Sequence, residues 1–299
     1  RAMANLKEVK GRIQSVTSTQ QITKAMKMVA AAKLRRAQDR IMQMRPYAEK
    51  LDGVMQNVSS AIDTQSVDNL YGQERDVNAV LLVVISSDRG LCGAFNSNIF
   101  KHTRSLIAEK YSHIESSGNL HILPIGKRAF EYYKKRGYSI IDTYYDLFNS
   151  LDFDHVRAAA EHTMKSFVSQ EYDQIEIIFN EFKNVATQII RNEQFLPILP
   201  MEPSEGTNAQ DIDFIAEPNE AFIFNEIIPK SLKIQFYKGL LESNASEHGA
   251  RMTAMGQATD NAGELLKELK LTYNRTRQAA ITKEILEIVG GAEALAKES

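Results

Sequence analysis

The residues best suited to chemistry lie in a short glycine-containing stretch, residues 86–93, with the sequence Ser-Ser-Asp-Arg-Gly-Leu-Cys-Gly. The stretch follows an apolar run and precedes a helical pattern, and the backbone N–H groups at a helix N-terminus can bind phosphate or stabilise a thiolate. Two interpretations of Cys92 remain open: a nucleophile, or a small buried residue that packs the turn. Asp88 and Arg89 form either a functional pair, or a turn cap beside a locally paired cation.

The motifs that established nucleotide and metal sites require are absent from the sequence. Gly90 and Gly93 have two residues between them and no third glycine follows, so the dinucleotide pattern G-x-G-x-x-G is not met, and no G-x-x-x-x-G-K-[ST] occurs. Gly126-Lys127-Arg128 is interpreted as a strand-to-helix turn. The six histidines show no metal-ligand spacing, and a single cysteine excludes an internal disulfide. The sequence therefore predicts no catalytic residue, no cofactor and no metal.

Strand and helix patterns alternate through the middle of the chain. Residues 79–85 form a continuous β-branched apolar run, which is typical of a strand buried on both faces. Further strands are expected at 120–125, 138–144 and 175–179, helices at 96–110, 127–136 and 153–170, and edge strands within 188–199. This alternation predicts an α/β fold with a doubly wound, largely parallel, Rossmann-like sheet. Residues 201–219 read as an irregular connector.

The two ends of the chain carry the heptad pattern of long helices. Near the C-terminus, apolar or small residues recur at alternating steps of four and three, and this series predicts the seam of a coiled coil. The series is Leu241, Ala245, His248, Met252, Met255, Thr259, Ala262, Leu266, Leu269, Tyr273, Thr276 and Ala280. Sixty helical residues would extend roughly 90 Å, which requires an equally long partner.

The partner is predicted at the N-terminus, where the same rhythm recurs. Its positions are Leu6, Val9, Ile13 and Val16, then Leu34, Ala37, Ile41, Met44, Ala48, Leu51, Met55, Val58 and Ile62. Between these runs the frame slips, and Ile22, Met26 and Val29 are expected to continue it in a shifted register. Pro46 should kink the helix without ending it.

Two terminal helices that enclose a middle domain should pair antiparallel, although two helices of a plain bundle remain an alternative. The expected organisation is a coiled-coil helix at 1–62, an α/β domain at 63–225 and a second coiled-coil helix at 226–299. Gly249, Gly256 and Gly263 recur every seven residues, which indicates close approach of the helices.

The charge is distributed unevenly. The net charge is −2, yet residues 1–45 hold eleven Lys or Arg against two acidic residues, so the remainder carries −11. A basic helix indicates an acidic partner, whether nucleic acid, an anionic membrane surface or an acidic protein segment, with a solvated face as the alternative. No run of about 20 apolar residues is present and the first residues lack a secretory core, so neither a membrane span nor a signal peptide is expected.

Four stretches resemble the gamma subunit of F-type ATP synthases: residues 5–13, 24–30, 87–93 and 273–282, with the sequences NLKEVKGRI, KAMKMVA, SDRGLCG and YNRTRQAAIT. The resemblance implies a non-catalytic rotor shaft. Its coiled coil would stand inside a ring of alpha and beta subunits, and its α/β body would form the foot beside the epsilon subunit and on the c-ring. Rotation of this shaft, driven by ion flow through the c-ring, would change the nucleotide states of the beta subunits.

The resemblance also implies which residues contact the ring. On the N-terminal helix these are Met26, Lys27, Arg35 and Arg36, which would pass the acidic segments of the beta subunits. On the C-terminal helix they are Arg275, Arg277, Gln278 and Thr282.

One copy per complex is expected, without nucleic acid, and with the membrane contacted only through the c-ring. The expected location is the cytoplasmic side of a bacterial inner membrane, with the matrix side of the mitochondrial inner membrane as the alternative. Plant chloroplast members carry a redox-active cysteine pair, which this sequence lacks, so thiol regulation of that kind is not expected. Rival interpretations are a stand-alone nucleotide-binding protein with a coiled-coil arm and a coiled coil that binds nucleic acid.

Overall fold

The structure is a computed structural model that describes residues 6–61, 70–198 and 223–298. We number the helices α1–α6 and the strands β1–β5 in chain order. In this order the elements are α1 Leu6–Ala61, β1 Val80–Ile85, α2 Phe95–Lys110, α3 Ser112–Ser117, β2 Leu120–Ile125, α4 Lys127–Lys135, β3 Ser139–Ile140, α5 Phe153–Val168, β4 Gln174–Phe182, β5 Gln188–Leu196 and α6 Ile228–Glu298. The predicted connector at 201–219 lies outside the described residues.

The five strands form one sheet in the order β3-β2-β1-β4-β5. β1 pairs parallel with both β2 and β4, β3 pairs parallel with β2, and β5 pairs antiparallel with β4. All six residues of β1 are buried, as expected for a central strand covered on both faces. The predicted parallel α/β sheet with an additional edge strand is therefore confirmed.

The third strand is shorter than the sequence predicts. The pattern suggests a strand over 138–144, but only Ser139–Ile140 is assigned, and sheet pairing ends after Ile141 donates to the Ile122 carbonyl. The carbonyl of Tyr145 accepts a hydrogen bond from the Gly126 backbone N–H at 2.8 Å. The segment thus turns across the end of β2 instead of extending along it.

Each face of the sheet is covered by different helices. On one face the core is completed by α5 and by the first turns of α6, where Ile228, Leu232, Phe236 and Leu240 are buried. On the other face, Ile99 and Ile107 of α2 and Tyr133 of α4 pack against the sheet. The C-terminal helix is therefore part of the core of the α/β body.

The chain divides into two compact units. The first contains the described residues up to 29 and from 252 onward, and the second contains residues 30–251. Both terminal helices contribute to both units.

In the first unit the two terminal helices pair antiparallel. The Lys27 side chain lies over Gly256, and the Gln20 side chain lies over Gly263, so the chain numbers run in opposite directions. Every predicted seam position from Met252 to Ala280 is buried or half-buried, and most residues between them are exposed. The predicted C-terminal seam is confirmed.

The predicted slip in the N-terminal seam is wrong for Ile22 and Val29, whereas Met26 is half-buried as expected. Ile22 and Val29 are 60% and 57% exposed, whereas Thr23 and Ala30 are buried. Thr23 takes the seam position because its hydroxyl accepts a hydrogen bond from the Thr259 hydroxyl at 2.8 Å. The hydrogen-bonded pair of Thr23 and Thr259 thus occupies the seam position that the hydrophobic pattern assigns to Ile22.

In the second unit α1 also runs against α6. Leu34, Ala37, Ile41 and Ala48 are buried at their predicted seam positions. α1 continues through Pro46 to Ala61, so the proline does not end the helix. The predicted seam positions Met55, Val58 and Ile62 lie outside the residues whose side chains are described.

Candidate interaction surfaces

The turn after β1 holds its cysteine in a buried polar cluster. Cys92 is 1% exposed, and its Sγ accepts a hydrogen bond from the Asn96 amide at 3.4 Å. The same amide donates to the Ser87 hydroxyl at 2.7 Å. Burial raises the pKa of the Cys92 thiol, which keeps it protonated and weakly nucleophilic. The arrangement favours the packing interpretation of Cys92 over the nucleophile.

Asp88 caps a different helix from the one that its sequence position suggests. Its carboxylate accepts a hydrogen bond from the Lys127 backbone N–H at 3.0 Å, at the start of α4. The expected local ion pair of Arg89 is not found among the described residues; instead the Arg89 carbonyl accepts a bond from Arg251 at 2.9 Å. The aspartate thus satisfies one of the backbone N–H groups that the start of α4 leaves without an intrahelical partner.

The turn between β2 and α4 requires glycine. Gly126 has φ 94°, and an added Cβ would lie 2.4 Å from the Ser86 carbonyl oxygen. The interpretation of residues 126–128 as a strand-to-helix turn is therefore confirmed, with close backbone contact between two strand ends as the reason for the glycine.

α6 packs on the sheet face beside the place where this fold class binds nucleotides. In a doubly wound sheet the ligand lies at the carboxyl ends of the strands, where the strand order reverses, here between β1 and β4. Gly239 of α6 lies beside this place, and its Cβ position is 3.6 Å from Phe179 and 3.7 Å from Ile85.

Polar contacts fix α6 in the same place. The Glu242 carboxylate accepts a bond from the Phe182 backbone N–H at 3.0 Å, and the Ser246 hydroxyl donates to the Asn180 carbonyl at 3.0 Å. These two bonds therefore fix α6 against the end of β4.

The second unit contains a cavity of about 540 Å³, which we call the basic cavity. One wall is α1, and the others are the β1–α2 turn, the start of α4, the segment 148–151 and α6. Six cations line it: Lys33, Arg36, Arg40, Arg89, Lys127 and Arg251. The sequence predicts the basic helix α1. It gives no signal that Lys127 and Arg251 lie beside that helix, because tertiary packing brings them together.

The floor of the basic cavity carries two perturbed groups. Glu247 is bound to Arg251 at 2.6 Å, and burial nevertheless raises the pKa of its carboxyl. Burial lowers the pKa of His248 to about 4, and the neighbouring Arg251 and Lys33 act in the same direction. His248 is therefore neutral at physiological pH.

The predicted contact residues of the N-terminal helix do not form one cluster. Met26 is half-buried and Lys27 is exposed in the first unit, whereas Arg35 and Arg36 are exposed in the second unit. Arg36 lines the basic cavity and Arg35 does not.

The predicted contact residues of the C-terminal helix are all exposed. Arg275, Arg277 and Gln278 form no ion pair or side-chain hydrogen bond that reaches another element of the described chain, and the Thr282 hydroxyl donates to the Gln278 carbonyl at 2.9 Å. Within the first unit, Met26 and Lys27 lie beside the part of α6 around Gly256, and not beside these residues.

Within the described ranges, no cluster of three or more histidine, cysteine, aspartate or glutamate side chains is arranged to hold a metal ion. Among those same residues, no helix combines the length and apolar character needed to cross a bilayer.

Comparison with known proteins gives consistent matches over nearly the full length. A family profile described as ATP synthase matches residues 5–295. The chain is 60% identical to the ATP synthase gamma chain of Cytophaga hutchinsonii over 294 residues, covering 98% of this chain and 99% of the relative. It is 51% identical to the ATP synthase gamma chain of Flavobacterium johnsoniae, again covering 98% and 99%.

Solved structures give the same fold. A chain of the central stalk and c-ring of the Tetrahymena thermophila mitochondrial ATP synthase matches with a TM-score of 0.57 at 25% identity, covering 79% of this chain and 99% of that chain. A chain from the Euglena gracilis mitochondrial ATP synthase matches with a TM-score of 0.67 at 20% identity, covering 97% and 94%.

Proposed function

The chain belongs to the ATP synthase gamma-chain family, and on that premise we propose how its described surfaces serve the central stalk. Within that family it is a non-catalytic subunit and the central-stalk rotor, which couples ion flow through the c-ring to the changes in the beta subunits that make or hydrolyse ATP. The complex to which it belongs is a peripheral membrane complex with a catalytic head and a c-ring.

The observation that carries the proposal is an apolar helix end that the described residues leave uncovered. All described residues from 281 to 292 are exposed. The exposed fractions of the large apolar residues there range from 48% to 71%. They are Ile281, Ile285, Leu286, Ile288 and Val289. At about 100° per residue these five side chains cover an arc of roughly 160°, a broad apolar helix face that is stable when another protein covers it. We infer that the alpha and beta subunits cover this face.

Polar contacts with the ring are proposed next to this apolar end. Arg275, Arg277, Gln278 and Thr282 are exposed there, so their side chains can hydrogen-bond the catalytic ring. On α1, Met26, Lys27, Arg35 and Arg36 would face acidic segments of the beta subunits. Exposed ion pairs contribute about 0–1 kcal/mol each, which allows them to break and re-form as the shaft turns.

The α/β body is proposed as the foot of the rotor. We assign residues 63–225 to the foot and residues 1–62 and 226–299 to the shaft, with one copy per complex. The foot would lie beside the epsilon subunit and on the c-ring, so the membrane is contacted only through the c-ring and no nucleic acid is bound. The proposed location is the cytoplasmic side of a bacterial inner membrane, in keeping with the bacterial relatives.

The experiment that tests the proposal uses the native complex. Affinity purification through this chain should recover alpha, beta, epsilon and c subunits in one assembly. In that assembly Arg277→Ala and Gln278→Ala should each lower ATPase turnover while the chain remains folded. Lys267→Ala is the matched control, because Lys267 is an exposed residue of the same helix outside the proposed contact set. Assembly with parental turnover in both variants would contradict the proposed contact.

A further inference from the structure

The basic cavity has a large excess of positive charge. Its six cations face only two carboxylates, Asp88 and Glu247, so four positive charges are uncompensated by the lining. His248 adds no charge at neutral pH. Like charges gathered on one concave surface raise the local concentration of anions.

Several of these cations have no anionic partner. Arg251 is bound to Glu247, and Arg40 donates to the Leu151 carbonyl at 3.4 Å. In contrast, Lys33, Arg36, Arg89 and Lys127 form no ion pair with any described residue. All four are exposed at the cavity, so their charged groups are available to a ligand.

The cations lie on separate walls of the cavity. Lys33, Arg36 and Arg40 are three and four residues apart, which places them along one face of α1 over about 10 Å. The Arg40 bond to the Leu151 carbonyl shows that this face of α1 is turned toward the segment 148–151. Arg89 and Lys127 approach from the β1–α2 turn and from the start of α4.

The chemistry of the lining selects the type of ligand. A volume of about 540 Å³ suits a small molecule, but organic ligands are held mainly by apolar walls. Here only Ala37, Phe148 and Leu151 among the lining residues are apolar. Guanidinium groups bind phosphate oxygens through paired hydrogen bonds, and ammonium groups act as point charges toward them. Four unpaired cations spread over three walls suit several linked phosphates better than one.

We propose that the basic cavity binds a condensed inorganic phosphate through Lys33, Arg36, Arg89 and Lys127. This site goes beyond the proposed rotor function, which assigns Arg36 only to contacts with acidic protein segments.

The test is calorimetric titration of the full-length, unassembled chain with tripolyphosphate. Arg36→Gln should weaken binding about tenfold, the factor that corresponds to one charge-assisted hydrogen bond. Arg35→Gln is the matched control: it removes the same charge from the adjacent position, which does not line the cavity, and binding should change less than twofold. Raising the ionic strength should weaken binding in the parent.

Two further probes separate phosphate recognition from other anions. ATP should bind no more tightly than tripolyphosphate, because the cavity offers little apolar surface to a base. A hexaglutamate peptide should bind more weakly than tripolyphosphate.

The proposal is wrong if tripolyphosphate does not bind, or if Arg35→Gln weakens its binding as much as Arg36→Gln does. It is also wrong if ATP or the hexaglutamate peptide binds ten times more tightly than tripolyphosphate. Because the unassembled chain is used, such a failure leaves the subunit recovery and turnover tests of the rotor function unaffected.

Discussion

Glu242 provides a sharp test of how α6 is held against the sheet of the α/β body. Its side chain is 5% exposed, and its two oxygens serve different partners. One accepts the Phe182 backbone N–H at 3.0 Å, and the other lies 3.6 Å from the Arg45 guanidinium, which is 54% exposed. Replacement by leucine removes both interactions and leaves a partly buried N–H without its acceptor.

The two interactions differ in expected size. A hydrogen bond to a charged group contributes about 1.5–3 kcal/mol, whereas an ion pair with an exposed arginine contributes about 0–1 kcal/mol. Glu242→Leu should therefore reduce the free energy of unfolding by about 2–4 kcal/mol, or lower the midpoint of the second unit by roughly 5–15 °C. Arg45→Met should cost less than about 1 kcal/mol, and Glu242→Gln, which keeps an acceptor oxygen, should fall between them.

Tyrosine signals make the measurement specific. The chain has no tryptophan, and ten of its eleven tyrosines lie in residues 30–251. Near-ultraviolet circular dichroism during thermal unfolding therefore reports mainly on the second unit. If Arg45→Met lowers the midpoint as much as Glu242→Leu does, the exposed ion pair and not the backbone hydrogen bond holds the helix, and the reasoning is refuted.

Three other changes have defined outcomes. Met26→Lys should assemble normally but lower the ratio of ion pumping to ATP hydrolysis in vesicles. The added ammonium would bind one carboxylate and so stabilise one rotational position over the others, whereas the methionine side chain adapts to several surfaces. An unchanged ratio together with an unchanged activation energy of ATP hydrolysis would contradict this. Gly239→Ala should stabilise by about 1 kcal/mol in denaturant titration, since its Cβ would make ordinary contacts inside a helix. Gly126→Ala should lower the free energy of unfolding by more than about 2 kcal/mol, because φ is 94° and the added Cβ would overlap the Ser86 carbonyl. Equal effects of Gly126→Ala and Gly239→Ala would refute this argument. The pKa of His248 is lowered from 6.5 to about 4 in the folded state, so its contribution to the free energy of unfolding is fully present above pH 6.5 and is lost as the pH falls toward 4. His248→Gln should remove up to about 3 kcal/mol of this pH dependence. If the variant keeps the parental dependence of the free energy of unfolding on pH, other groups cause it.

Periodicity predicted the helices and the sheet because each depends on a repeating burial pattern. The C-terminal seam was identified to the residue, since small and apolar residues at alternating steps of three and four leave one face for a partner. The N-terminal seam was misassigned at Ile22 and Val29, because the polar Thr23 is satisfied by Thr259, a contact 236 residues away along the chain. No local pattern reports such a pairing.

The candidate sites were less predictable than the fold. The basic helix was visible as charge, but its meeting with Lys127 and Arg251 follows from tertiary packing. The cap that Asp88 provides for α4 likewise links residues 39 positions apart. The absence of a phosphate loop is readable in the sequence, whereas the packing of α6 beside the strand ends is not, because Gly239 and Glu242 carry no motif.

The place of α6 in the core has a consequence for synthesis on the ribosome. All five strands have been translated by Leu196, yet the side chains of Leu232, Phe236 and Leu240 that cover one sheet face come later in the chain. At roughly 5–20 residues per second, the 44 residues from 196 to 240 take about 2–9 s to translate. During that interval the apolar face of the nascent sheet has no cover from this helix, so chaperone binding to ribosome-bound chains should be strongest for chains that end between these two points and should fall once the helix has emerged.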